Sequence, residues 1–175
     1  MDRRSFLLAA AAVPGVSWPQ PLGEGAPTPA RVPSGEDRFG EHHGVGVSVL
    51  DFKVATADTA GGLFIVEHAF HEKGGPARHL HRDQDEWFYT LEGAFRFEIG
   101  EQRLTLGPGD SVLGPRGVPH VWACTGKGRM LIAFTPAGKM EAFLREITKA
   151  NAMPPRDPAL WRAYGMELLG PPLAV

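Results

Sequence analysis

The sequence predicts an all-β fold, an antiparallel barrel or sandwich followed by short carboxy-terminal helices. Three observations carry this expectation. The 175 residues include 22 glycines and 16 prolines, and both residue types interrupt helices. From Val45 to Phe134 short apolar runs alternate with turn signals. Helical periodicity sets in only after Thr135. Hydrophobic residues make up 43% of the chain, enough to build a core, and the length suits about one domain. A formal net charge of -2 argues against an electrostatic nucleic-acid partner. The single cysteine excludes an internal disulfide framework and a cysteine-rich zinc site. No apolar run approaches the roughly 18 residues of a membrane-spanning helix.

The amino terminus reads as an address. Arg3 and Arg4 precede a short apolar stretch from Phe6 to Val13, which suits a signal-peptide core and is too short to span a bilayer. Arg3-Arg4-Ser5-Phe6-Leu7 resembles the twin-arginine export motif of bacteria. That resemblance implies an exported, periplasmic protein with no stable membrane insertion after cleavage. It also hints at a metal or cofactor, since the route carries folded proteins. The expected organisation is a signal over residues 1–25, a proline-rich linker over 26–40, a β-barrel over 41–136 and a helical extension over 137–175.

The strands follow from composition and punctuation. Candidates are Val45–Phe52, Leu63–Phe70, Glu86–Leu91, Ala94–Ile99, Gln102–Leu106, Ser111–Leu113, His120–Cys124 and Arg129–Phe134. They are rich in β-branched and aromatic residues and short. Gly61-Gly62, Gly74-Gly75-Pro76, Glu92-Gly93, Gly100-Glu101 and Gly107-Pro108-Gly109 separate them. Such tight turns favour antiparallel pairing over βαβ units.

Two helices follow. Thr135-Pro136 is read as the cap of the first. In it Met140, Phe143, Leu144 and Ile147 form one apolar stripe at i, i+3, i+4, i+7, and Glu141 and Arg145 form an i,i+4 pair. The stripe is expected to pack this helix on the outside of the barrel. Asp157-Pro158 opens the second helix and Gly165 ends it.

The segment richest in chemistry runs from Gly74 to Gly93. His79 and His81 are two apart, so on a strand both imidazoles share one face, roughly 7 Å apart along the chain. Such a pair can converge on one metal ion at about 2.0–2.2 Å each. Glu86 has the wrong parity for a straight strand from His81, and a bend at the polar Arg82-Asp83-Gln84-Asp85 would restore the face. Asp83 and Asp85 read as solvated turn residues. A lone His-x-His is weak evidence of a metal site.

Two motifs together are more specific. His79-x-His81-x4-Glu86-x6-Gly93 and Gly109-x5-Pro115-x-Gly117-x2-His120 resemble the two signatures of the cupin superfamily, over roughly residues 60 to 135. There are two departures. Lys73 stands where the first motif opens with glycine, and Cys124 where the second ends in asparagine. Cys124 reads as a small buried apolar residue, too far along the strand from His120 to share its ion.

The resemblance implies a double-stranded β-helix, the cupin jelly-roll barrel. It also implies one divalent metal held by His79, His81, Glu86 and His120. Three neutral imidazoles and one carboxylate leave such a centre with one net positive charge. Nitrogen-rich ligation favours Fe, Mn, Ni, Cu or Zn over Ca or Mg. His42, His43 and His71 read as loop histidines. Phe88, Trp122, Phe134 and His68 are the candidate substrate-pocket residues, the first two on parity with Glu86 and His120.

The segments GDSVLGPRGVPH and AFTPAGKMEAFLRE, and the ending YGMELLGPPL, resemble small bacterial cupins described as quercetin-dioxygenase-like. This implies an oxygenase of a small enolisable aromatic substrate, with Glu86 as both ligand and catalytic base. Two other readings share the centre: a non-oxidative isomerase, decarboxylase or lyase, and a periplasmic module that binds a small molecule or the metal without turnover. Association into a homodimer through sheet edges is expected, because open edges gain from being covered.

Overall fold

A computed structural model of the protein describes residues 29–175. The segment read as an export signal lies outside the described residues, as does the start of the linker. The order of strands is β1 (His43–Val45), β2 (Ser48–Val54), β3 (Phe64–Phe70), β4 (Ala77–His81), β5 (Asp85–Glu92), β6 (Phe95–Ile99), β7 (Gln102–Leu106), β8 (Ser111–Gly114), β9 (His120–Cys124), β10 (Gly128–Thr135) and β11 (Met166–Pro172). Two short α-helices, α1 (Met140–Thr148) and α2 (Pro158–Ala163), lie between β10 and β11. No helix among the described residues is long and apolar enough to cross a membrane.

Two antiparallel sheets face each other. One has the order β1-β2-β3-β10-β5-β8 and the other β11-β4-β9-β6-β7. From β3 onward the chain crosses repeatedly from one sheet to the other, which makes the fold a jelly-roll β-barrel. Alternating side chains from both inner faces fill the space between. Phe52, Phe64, Phe88 and Met130 come from the six-stranded sheet, and Phe95, Phe97 and Trp122 from the other, all essentially buried. Phe88 and Phe97 meet edge to face across the gap with ring centroids 4.9 Å apart, a favoured aromatic geometry.

The strands expected from composition are present, with ends shifted by a residue or two. The run expected as Val45–Phe52 is a hairpin: β1 and β2 turn at Gly46 (φ +60°). The end of the proline-rich stretch is tied down. Asp37 is buried and accepts N–H groups from Phe39 at 2.6 Å and Phe52 at 2.5 Å.

The carboxy-terminal segment departs from expectation in three ways. First, Thr135-Pro136 does not cap α1. The helix starts at Met140 behind Lys139, whose side chain makes no cap bond; Pro136 and Ala137 lie ahead of it, their carbonyls accepting from Gln84. Second, the α1 stripe does more than pack the helix against the sheets: Met140, Phe143, Leu144 and Ile147 are buried as expected and also line a cavity. Third, the extension is not purely helical. Its last part is β11, which pairs with β4 in the register Met166↔His81 and Leu168↔His79. The strand that carries both histidines is thereby flanked on both sides.

The start of α2 is as expected. Asp157 Oδ1 accepts the Ala159 N–H at 2.9 Å and Pro158 occupies the first turn, while Gly165 takes the left-handed conformation (φ +84°) just past the end. The helix positions Trp161, 2% exposed, against the cavity. Asp157→Ala should lower unfolding stability by about 1 kcal/mol, read by denaturant melts. Unchanged stability would show that Pro158 and the Trp161 packing hold the turn without the cap.

Candidate metal centre

Four side chains from both sheets converge. β4 alternates buried and half-buried positions, so His79 and His81 both point inward, 4% and 1% exposed. His120, at the start of β9, lies directly opposite His79 in register and is 1% exposed. Glu86 reaches in from β5 on the facing sheet and is 3% exposed. Its Oε2 lies 2.9 Å from His120 Nε2, 3.0 Å from His81 Nε2 and 4.0 Å from His79 Nε2. One donor atom from each of the four side chains lies within 4.8 Å of every other.

The bend anticipated between His81 and Glu86 is held by Gln84. This residue is 3% exposed and its amide donates to the carbonyls of Pro136 and Ala137. The His81 carbonyl accepts the Gly117 N–H at 2.7 Å and Arg82 N–H donates to Gly165 at 3.0 Å. Together these contacts fix the turn that returns Glu86 to the histidine face. Nothing in the spacing marks Gln84 for this task, because its partners lie some fifty residues away in the chain.

The histidine tautomers follow from the backbone. His79 Nδ1 is 2.7 Å from the Ala77 carbonyl and His120 Nδ1 is 3.0 Å from the Val118 carbonyl. A carbonyl only accepts, so both Nδ1 atoms carry the proton, and each Nε2 faces inward, a lone pair when the ring is neutral and a donor to Glu86 when it is protonated. This is the usual arrangement behind a metal-binding imidazole. Burial, then the neighbouring His120 and His81, push the His79 pKa down to about 3, so this ring is neutral. Burial alone would lower His120 as well, but the hydrogen bond and charge of Glu86 outweigh it and raise its pKa. Burial would raise Glu86, yet hydrogen bonds from His120 and His81 keep it ionised, below the usual carboxylate range.

The donor set fits a cation. A carboxylate surrounded by imidazole nitrogens needs positive charge between them, since lone pairs otherwise oppose one another. A divalent transition ion supplies that charge and suits nitrogen-rich ligation.

The site borders a cavity of about 80 Å³. At roughly 10–15 Å³ per water centre this holds about six waters or one small ring. His79 and Glu86 lie on its wall; Val66, Ile132, Met140 and Phe143 are typical of the rest. Its polar side chains are Ser48, His68, His79 and Glu86 together with the Trp122 and Trp161 indoles, and no lysine or arginine lines it.

Of the pocket candidates, His68, Trp122 and Phe134 line this cavity. Phe88 does not, which corrects its assignment. Its parity does point it inward, but two residues beyond Glu86 the space is filled by Phe97 and by Trp122, whose ring centroid is 5.9 Å away. Phe88 is core. Sequence reasoning missed Trp161, which packs edge-on against His79 at 5.2 Å and lines the cavity. Its place in the carboxy-terminal extension gave no sign of proximity to the site.

The other candidates have structural tasks. Asp85 binds Arg116 through two hydrogen bonds from the guanidinium, at 3.1 and 2.7 Å. That guanidinium and the Arg116 N–H bring the Asp85 pKa down to about 2. His43 is not a loop residue; it lies on β1 and stacks on Phe52 at 4.3 Å. Cys124 is buried, its thiol 3.2 Å from the Gly126 carbonyl, and burial raises its pKa. A second cluster, Asp37, Glu41 and His43, is explained by Asp37 binding backbone N–H groups.

A jelly-roll barrel with a buried three-histidine, one-glutamate cluster defines the class. Residues 66–135, less than half of the chain, match the family model described as Cupin domain. Over 58 residues, 33% of the chain, the sequence is 33% identical to 3-hydroxyanthranilate 3,4-dioxygenase of Rattus norvegicus; the match spans 19% of that protein. Similar solved structures include an RmlC-like cupin from Shewanella frigidimarina. It is 25% identical with a TM-score of 0.49, covering 55% of this chain and 82% of that one. KdgF from Halomonas sp. is 23% identical with a TM-score of 0.46, covering 51% and 79%.

Proposed function

We propose that the protein is a metal-dependent cupin oxygenase acting on a small, uncharged, enolisable aromatic molecule. The observation that carries this reading is the position of the His79, His81, Glu86 and His120 cluster beside an apolar cavity whose wall has no cationic side chain. A substrate with a carboxylate or phosphate would find no lysine or arginine to neutralise it, and a sugar would find few hydrogen-bond partners. A single hydroxylated ring fits both the size and the lining. Similarity of a segment to a dioxygenase supports the reaction class.

A divalent transition ion held by the four side chains would supply Lewis acidity toward a substrate oxygen and, if redox-active, electron transfer with O₂. The chain's own residues do the rest. Glu86 Oε2 is committed to the three imidazoles, while Oε1 makes no hydrogen bond among the described residues. Oε1 is therefore the atom that takes the proton from the substrate hydroxyl, within a wall that excludes most water. Trp122, Phe134 and Trp161 hold the ring against the cluster.

Oxygen uptake tests this directly. Metal-loaded protein should consume O₂ with phenolic, enolisable single-ring compounds, and metal-stripped protein should not. Equal uptake by the two forms would contradict the reading. Activity confined to isomerisation or decarboxylation would replace it with the non-oxidative alternative.

A further inference from the structure

Two polar side chains on the cavity wall, Ser48 and His68, are not used by the proposed chemistry. His68, on β3, is buried yet lines the cavity. Its Nε2 lies 2.8 Å from Ser48 Oγ. The Ser48 hydroxyl has one proton, and it donates that proton to the Val45 carbonyl at 3.1 Å. Ser48 Oγ must therefore accept from His68 Nε2–H. In the neutral ring this leaves Nδ1 as a bare lone pair, and Nδ1 has no hydrogen-bond partner among the described residues.

The rest of the ring is held by packing. Phe70 lies over it at 4.2 Å and Trp122 meets it edge to face at 5.6 Å. Burial pushes the His68 pKa down to about 3, against a small opposing pull from Glu86. The tautomer-fixing serine sits at the hairpin between β1 and β2, where Val45 and Ser48 pair. An oriented acceptor in an otherwise apolar wall is what recognises a hydroxyl, because a buried acceptor left unpaired costs more than a made bond returns.

We propose that His68, oriented by Ser48, is a specificity-determining residue that accepts a hydrogen bond from a second hydroxyl of the substrate. This rests on the reading of the cavity as a substrate site and narrows the substrate class. The molecule is an uncharged ring with two separated hydroxyls, one directed to Glu86 and the other to His68 Nδ1.

The test is calorimetric binding of phenol, resorcinol and hydroquinone to metal-loaded protein. These two diphenols carry separated hydroxyls and do not chelate. One of them should bind about tenfold more tightly than phenol, the usual return on one well-made hydrogen bond. His68→Leu should erase that advantage while phenol affinity stays, and His68→Gln, whose amide oxygen also accepts, should restore part of it. Ser48→Ala, which frees the tautomer without touching the ring, should weaken the preference. A diphenol no better than phenol, or a preference intact in His68→Leu, overturns the assignment. The metal content of the same samples separates the two readings. Metal-loaded protein without diphenol preference refutes His68 alone, and preference retained in protein that binds no metal refutes the metal reading alone.

Discussion

Glu86→Gln should leave the barrel folded and lower metal affinity on the order of 100-fold or more, exceeding the 10–100-fold typical of losing a group that only supports a ligand. Glu86 is the anion at the centre of three imidazoles, with Oε2 within 4.0 Å of all three Nε2 atoms. Glutamine keeps the shape and removes the charge, so a divalent ion there would lose its neutralising partner. The fold should not suffer equally, because replacing a buried charged group by a neutral one of like size also removes a desolvation cost. His120→Ala should lose metal as well, since His120 Nε2 is 2.9 Å from the carboxylate and its Nδ1 proton is bound by Val118. Metal content is read by elemental analysis and folding by circular dichroism. Glu86→Gln protein that keeps full metal content would remove Glu86 from the site.

Gly93→Ala should destabilise the fold by about 3 kcal/mol. Two independent costs add. Gly93 has φ +78°, where a side chain costs roughly 1–2 kcal/mol. A Cβ there would also collide with the Lys127 carbonyl oxygen and come within 2.8 Å of Gly128 Cα. Both are backbone atoms at the start of β10 and cannot step aside as a flexible side chain does, so a further 1–3 kcal/mol, roughly, follows from overpacking. Gly109→Ala is the informative control. Its φ is +90°, but nothing lies within 4 Å of an added Cβ, so only the conformational cost applies. Thermal or denaturant unfolding of the two variants separates strain from collision. Equal losses would show that the close approach of β10 to the turn at Gly93 is unimportant.

Most strands were legible because glycine or proline stands close to an end of the run, whereas β4 was not among the strands expected. Gln102–Leu106 and His120–Cys124 have the expected ends. The four-residue cluster was legible only through the resemblance of two patterns together, His79-x-His81-x4-Glu86 and Pro115-x-Gly117-x2-His120, to the signatures of a known family; each pattern alone is weak evidence. What joins the pieces was not. The His79↔His120 pairing, the Gln84 contacts with Pro136 and Ala137, and the covering of β4 by β11 all depend on residues distant in sequence. β11 was missed because Met166–Pro172 is short and ends in Gly170-Pro171-Pro172, which resembles a tail. Phe88 was misplaced because parity gives the face of a strand but not the depth at which the cavity ends. His68 was recognised as a cavity candidate, whereas its bond to Ser48 arises from a pairing of β2 with β3 that spacing does not reveal.

The buried cluster of His79, His81, Glu86 and His120 is proposed to hold one divalent transition metal. Elemental analysis of the purified, folded full chain after expression in metal-replete medium tests it most directly. About one transition metal ion per chain is expected, falling toward none in Glu86→Gln and His120→Ala. Folded wild-type protein that carries no metal under those conditions would contradict it.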